Sequence, residues 1–173
     1  MRSLTLLRHA KSSWDDTSLD DLYRPLSDRG RRSARAMGKY LADTDAAFDL
    51  ILASPAERAA KTLKAIGKGG WHAGPVQFEQ AIYHAGGRDL LLMLRAVPAG
   101  VQRLLLVGHN PALQLLALQF CREDGSDQRA ALAAKYPTCT LAEIELDIGG
   151  WNEADAGCGR LVAFVTPRSL DVR

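Results

Sequence analysis

The chain has 173 residues, of which 47% are apolar and 24% charged. That is an ordinary globular composition, long enough to bury a real core in one domain over residues 1–173. Lys and Arg number 22 against 20 Asp and Glu, a formal charge of +2, too small to point to nucleic acid or an anionic membrane as partner. No apolar stretch approaches the roughly 20 residues of a membrane span, and Met1-Arg2-Ser3 runs straight into the first apolar segment, so no signal peptide is expected.

Short apolar runs alternate with helical patterns, which predicts an α/β fold. The first strand is expected at Leu4–Leu7. Asp15–Arg24 then reads as a loop, with Asp15, Asp16, Asp20 and Asp21 as a solvated cluster that also has the charge to face a basic patch on a partner. Ser27 is the expected cap of a helix running to about Asp43, with Ala34, Met37, Gly38 and Leu41 on its inner stripe. Phe48–Ala53 is the second strand. Ser54-Pro55-Ala56-Glu57 carries a capping-box pattern with proline at the first helical position, opening a helix to about Lys68 that frays at Gly69-Gly70. Gly69–Gly74 is loop-like, and Val76–Phe78 is a third strand.

Asp89–Val97 reads as a third helix, ended before Pro98. Arg103–Val107 follows, and its run Leu104-Leu105-Leu106-Val107 suits a central strand covered on both faces. Asn110-Pro111 pairs a cap with a proline and opens a helix through Phe120. Ser126–Tyr136 is a shorter helix stopped by Pro137. Leu141–Asp147 alternates, so it has a solvated side or lies near an edge. Leu161–Val165 is the last strand, and Arg168–Arg173 reads as a frayed basic tail. Cys121, Cys139 and Cys158 are odd in number and widely spaced, with the pattern of neither a disulfide framework nor a zinc site. Buried or incidental thiols in a reducing cytoplasm are expected.

Three strand-to-helix junctions carry the chemistry. They are Leu7-Arg8-His9-Ala10, Ser54-Pro55-Ala56-Glu57-Arg58 and Val107-Gly108-His109-Asn110-Pro111. If the strands are parallel, all three lie on one sheet edge, where α/β proteins bind ligands. Arg8, His9, Arg58 and His109 would then meet. Guanidiniums, imidazoles and helix amino termini together suit a phosphoryl group, whose charge must be balanced through the transition state.

With these junctions the chain resembles the histidine phosphatase superfamily, most nearly its short SixA-type phosphohistidine phosphatases. The carrying motifs are Leu7-Arg8-His9-Ala10-Lys11-Ser12-Ser13-Trp14, Arg24-Pro25-Leu26 followed by Gly30, Ser54-Pro55 with Arg58, and Gly108-His109-Asn110-Pro111, in order over most of the chain. The resemblance implies a three-layer α/β/α sandwich with a largely parallel central sheet, phosphoglycerate-mutase-like. It implies that His9 is a transiently phosphorylated nucleophile, with Arg8, Arg58 and His109 around the phosphate. No metal and no cofactor are implied, since cationic side chains do the work of a magnesium ion. Arg24 fits a substrate contact and a structural salt bridge equally.

Three departures stand out. Ala10 replaces a glycine common in the wider superfamily, as it does in the SixA-type group. Asp15 stands where mutase-like relatives carry a phosphate-contacting asparagine, so it should point away or bind protonated. No acid is clearly placed to protonate a leaving alcohol; Glu79, Asp89, Asp15 and Asp16 are the candidates. Histidine is a far better leaving group than an alkoxide and needs less acid help. The expected substrate is therefore a phosphorylated protein carrying phosphohistidine. The alternatives are a small phosphorylated substrate, hydrolysed as a phosphoester, and a non-catalytic phosphate-binding module. His72 and His84 are expected at the surface, and Trp14 and Trp71 in packing roles.

Overall fold

The computed structural model describes residues 1–171. One six-stranded sheet organises them, in the order β3-β2-β4-β1-β5-β6. The strands are β1 (Arg2–Arg8), β2 (Leu50–Ala53), β3 (Val76–Phe78), β4 (Arg103–Gly108), β5 (Leu141–Leu146) and β6 (Gly159–Val165). β3, β2, β4 and β1 pair in parallel, and only β5 runs against its neighbours. This is the expected α/β sandwich with a largely parallel sheet. β5 lies next to the edge strand β6, as its alternation suggested.

β4 and β1 are buried on both faces, and their side chains divide between two cores. Leu4, Leu6, Leu104 and Leu106 pack on one face. That face is covered by α4 (Gly87–Arg95), α5 (Ala112–Phe120) and α6 (Asp127–Ala134), through residues such as Leu94, Leu116 and Leu132. Leu7, Leu105 and Val107 pack on the other, against Met37, Leu41 and Ile66 of α1 (Asp28–Asp43) and α2 (Glu57–Gly67). The period of two in the strands thus meets helical stripes on both sides.

Ser27 caps α1 as expected, its hydroxyl accepting from the Gly30 N–H at 3.1 Å. Other boundaries moved. Ser54 does not cap α2; Ala56 occupies that position without a side-chain bond, and the Ser54 hydroxyl accepts from the Ala56 N–H at 3.2 Å, one turn ahead of the helix. Pro111, not Asn110, precedes α5. α4 starts at Gly87, where the Asp89 carboxylate accepts from the Gly86 N–H at 2.8 Å, and a short helix, α3 (Gln80–His84), has no counterpart in the sequence reading. The basic tail is not frayed as far as it can be followed. Pro167–Leu170 forms a 3-10 turn capped by Thr166, and Leu170 packs on the α1 side of the core; Val172 and Arg173 lie outside the described residues. Cys121 and Cys139 are buried and Cys158 is half-buried, all as free thiols. Among the described residues no helix is long and apolar enough to cross a membrane.

α1 and α2 meet at Gly38. A Cβ there would sit 2.1 Å from the Ile66 carbonyl oxygen, which is helix backbone and cannot rotate aside. Gly38→Ala is therefore expected to destabilise the fold by about 2 kcal/mol, the usual scale of overpacking. Chemical denaturation would show it as a lower midpoint with an unchanged slope.

Candidate active site

Register builds the site. Arg8 pairs with Gly108, and Ala53 with Val107, so β1, β2 and β4 end on one line. The ladder extends one residue further on two strands: the His9 N–H donates to the Gly108 carbonyl at 3.1 Å, and the Ser54 N–H to the Val107 carbonyl at 3.0 Å. His9 and His109 thereby face each other, ring centroids 5.1 Å apart. Arg58 enters from the first turn of α2 with only 6% of its surface exposed. Arg8, His9, Arg24, Arg58 and His109 all border one cleft of about 340 Å³, with Asn110 and Thr138 on its rim.

His9 Nδ1 lies 2.8 Å from the Ala10 carbonyl oxygen. A carbonyl can only accept, so Nδ1 carries the proton and Nε2 is left with a bare lone pair. Burial lowers the imidazole pKa to about 3; the Ala10 hydrogen bond opposes the shift, and His109, Arg58 and Arg8 reinforce it. His109 is lowered to about 4, chiefly by burial and then by Arg58. Its Nε2 is 2.7 Å from Ser54 Oγ, and its Nδ1 is 3.4 Å from Arg58 Nη2. Arginine only donates, so the neutral ring donates from Nε2 to the serine. The serine oxygen also accepts from the Ala56 N–H at 3.2 Å, so it ties His109 to the turn that leads into α2.

The cations are held from behind. Arg8 Nη1 donates to the Tyr136 carbonyl at 2.7 Å, and the Tyr136 hydroxyl donates to the Leu6 carbonyl at 2.7 Å. Arg24 bonds to Ser12 Oγ and lies 3.8 Å above the Trp14 ring. Thr62, fully buried, accepts from the Ala10 N–H at 2.9 Å and donates to the Arg58 carbonyl at 2.6 Å, joining the His9 loop to α2. Among the described residues the Nε atoms of Arg8 and Arg58 have no partner.

One carboxylate reaches this cluster. Asp21 Oδ1 bonds to Arg24 Nη2 at 2.7 Å, and Oδ2 to Arg58 Nη2 at 3.1 Å. Tyr83, from α3, donates to Oδ2 at 2.8 Å, and the Asp21 carbonyl accepts from Arg58 Nη1 at 2.7 Å. Partial burial alone would raise the Asp21 pKa; the bonds from Arg24 and Tyr83 and the charges of Arg58 and Arg24 outweigh it and bring the pKa to about 2.

The expectation for Asp21 as part of a solvated cluster is thus corrected. Asp15 and Asp16 do stay in that exposed loop, accepting from Ser13 and Ser18. Arg24, open between two roles, makes a salt bridge to Asp21 and also lines the cleft. Trp14 is not packed inside; it is 68% exposed and stacks on Arg24. Trp71 is buried, and His72 and His84 are exposed, as expected. Tyr83, Tyr136 and Thr62 were missed, and the sequence carries no short-range signal for them. The Asp21–Arg24 spacing alone could have flagged that ion pair. Among the described residues no cluster of His, Cys, Asp or Glu is placed to hold a metal ion.

Comparison with known proteins places the chain in a family. The family model of the histidine phosphatase superfamily, branch 1, matches residues 4–82. An uncharacterized protein of Mycobacterium tuberculosis is 34% identical over 167 residues, covering 94% of this chain and all of that protein. The structure of a candidate phosphohistidine phosphatase SixA from Nakamurella multipartitia superposes with a TM-score of 0.82 at 28% identity, covering 96% of both chains. A candidate SixA from Agrobacterium tumefaciens gives 0.79 at 30% identity, covering 96% of this chain and 98% of that one.

Asp21 should matter to function although it is a carboxylate beside an anion site. Asp21→Ala frees both Arg24 and Arg58, and a displaced positioning group costs on the order of 10²-fold in rate. Steady-state turnover of an aryl phosphate is expected to show such a fall in kcat/KM, with part of it recovered in Asp21→Asn, which keeps one acceptor oxygen.

Proposed function

Because this chain belongs to the histidine phosphatase superfamily, we propose that it hydrolyses phosphohistidine on a phosphorylated protein through a covalent intermediate on His9. The observation that carries this reading is the Nδ1–Ala10 hydrogen bond, which leaves a neutral Nε2 as nucleophile beside three guanidiniums. The Nε2 lone pair forms the new P–N bond as the P–N bond of the substrate breaks. The breaking bond's electron pair stays on the substrate nitrogen. When the far nitrogen of that ring carries a proton, the ring departs as neutral imidazole.

Phospho-His9 has the same property. Its Nδ1 proton is held by the Ala10 carbonyl, so attack by water releases neutral His9 and orthophosphate without an acid. Arg8, Arg58 and Arg24 supply the positive charge through both steps, and no metal ion is needed. A bound dianion raises the proton affinity of His109, and the protonated ring gains a second donor at Nδ1.

The acid inventory supports the choice of substrate. Asp21 is held ionised, at about 2, and cannot serve as a proton donor near neutral pH. Asp89 is tied to the Gly86 N–H, and Glu79 is exposed at the end of β3. An imidazole, with a conjugate-acid pKa of roughly 6.5, can leave from such a site far more easily than an alkoxide.

Brief incubation with a labile phosphodonor, with or without EDTA, is expected to give an acid-labile adduct on His9, and His9→Ala to abolish turnover. Phosphoramidates and aryl phosphates should turn over well and alkyl phosphates poorly. Equal rates for glycerol phosphate and phosphohistidine would replace this reading with that of a small-phosphoester phosphatase.

The pH profile gives a separate check. The nucleophile works as neutral imidazole, and its pKa is depressed to about 3. The acid limb of kcat/KM, corrected for substrate ionisation, should therefore lie near pH 3 to 4. A limb near pH 6.5 would mean that His9 titrates as an unperturbed histidine and that its environment has been misread.

A further inference from the structure

A second cationic cleft lies between α1 and α2, outside the phosphoryl site. It has a volume of about 290 Å³ and an apolar floor that includes Leu26 and Ala65. Arg31 and Arg35 line one wall at a spacing of four; Lys61, Lys64 and Lys68 line the other at spacings of three and four, so each row shares one helix face. Glu57 is the one acidic residue on the lining, and it sits 3.8 Å from Lys61 Nζ. Arg31 is engaged by Asp28 and by the Leu26 carbonyl. Among the described residues, Arg35, Lys64 and Lys68 have no carboxylate within 4.0 Å.

This clustering is local, because the whole chain carries only +2. Like charges gathered across a narrow groove repel one another, and an acidic ligand relieves that repulsion. The groove also neighbours the active site along the chain. Pro25 and Leu26 follow Arg24 directly, and Glu57 precedes Arg58. The surface between the two clefts is bordered by Lys11, which also lines the active site, and by Arg31, which also lines the groove; Asp15, Asp16 and Asp28 line it too, so the carboxylates of a docked segment belong in the groove and not in the stretch that bridges to the cleft.

We propose that the groove between α1 and α2 docks an acidic segment of the phosphorylated protein while its phosphohistidine enters the cleft at His9. The proposal rests on the reading of the substrate as a phosphoprotein. The groove favours a polypeptide over a nucleic acid: its floor is aliphatic and its lining holds no aromatic ring on which a base could stack. Mobile lysine ammoniums above an aliphatic floor match a segment that mixes carboxylates with apolar side chains.

The test uses labelled peptides in which a central histidine is flanked by glutamates or, in a matched control, by glutamines. Binding of the unphosphorylated peptides is followed by fluorescence anisotropy, with a single-stranded oligothymidylate as a third probe. The comparison protein is Lys64→Glu/Lys68→Glu, altered at two exposed positions outside the catalytic cleft. The glutamate peptide should bind the wild-type protein more tightly than the glutamine peptide, and about tenfold more weakly to the variant. Added salt should erase the wild-type preference. With the phosphorylated peptides, the variant should lose the kcat/KM advantage of the glutamate sequence and keep wild-type turnover of an aryl phosphate. Equal binding of the two peptides, or no loss in the variant, overturns the proposal. So does tighter binding of the oligothymidylate that the variant loses, which would make the groove a nucleic-acid site. Because the anisotropy arm needs no turnover, selective glutamate-peptide binding without phosphohistidine hydrolysis would uphold an acidic-polypeptide groove and remove the substrate reading alone.

Discussion

The parallel pairing of β1 with β4 is the constraint on which the rest depends. Leu4 to Leu7 lie opposite Leu104 to Val107, with both strands covered on both faces. A slip of one residue would exchange the contents of the two cores, placing Leu6 where Leu7 belongs and Thr5 in the wrong layer. The same slip would part His9 from His109, since the His9 N–H is fixed to the Gly108 carbonyl. Stability and chemistry therefore draw on one register. The price of error is high in both cores at once, which keeps the strand ends in place without any bond between the two imidazoles.

Electrostatics then decide what the strand ends can hold. Both histidines are pushed well below their ordinary range, so neither carries charge near neutral pH. Arg8, Arg24 and Arg58 remain positive, and Asp21 remains negative. With Lys11, which also lines the cleft, the balance is three positive charges, enough to attract an anion. Asp21 orients two guanidiniums and offsets part of their charge. Thr62 ties the backbone beside His9 to the backbone of Arg58, so these two parts of the site are coupled.

Much of this arrangement was legible from local sequence. The apolar run Leu104–Val107 marked the central strand, and Arg8, His9, Arg58 and His109 each sit within a few residues of a strand end, where position and chemistry coincide. Asp21 was not legible, because its meaning comes from Arg58, 37 residues on, and from Tyr83, 62 residues on. Its neighbours Asp15, Asp16 and Asp20 look alike in sequence and do not share those contacts. Ser54 shows the opposite failure. Its capping pattern is genuine as a pattern, yet its hydroxyl accepts from the Ala56 N–H ahead of the helix and from His109, 55 residues on, and α2 begins only at Glu57. Trp14 was expected in a packing role, while the structure leaves it stacked on a charged partner at the surface.

That stacking has an optical consequence. The chain has three tryptophans. Trp71 and Trp151 are buried, with their indole N–H groups bonded to the carbonyls of Ala46 and Val101. Trp14 alone faces solvent, and its ring lies under the Arg24 guanidinium on the rim of the phosphoryl cleft. An anion that pulls Arg24 inward changes the surroundings of that one indole and leaves the other two in place. The protein thus carries a built-in fluorophore at the mouth of its own site, able to report occupancy in real time without a label.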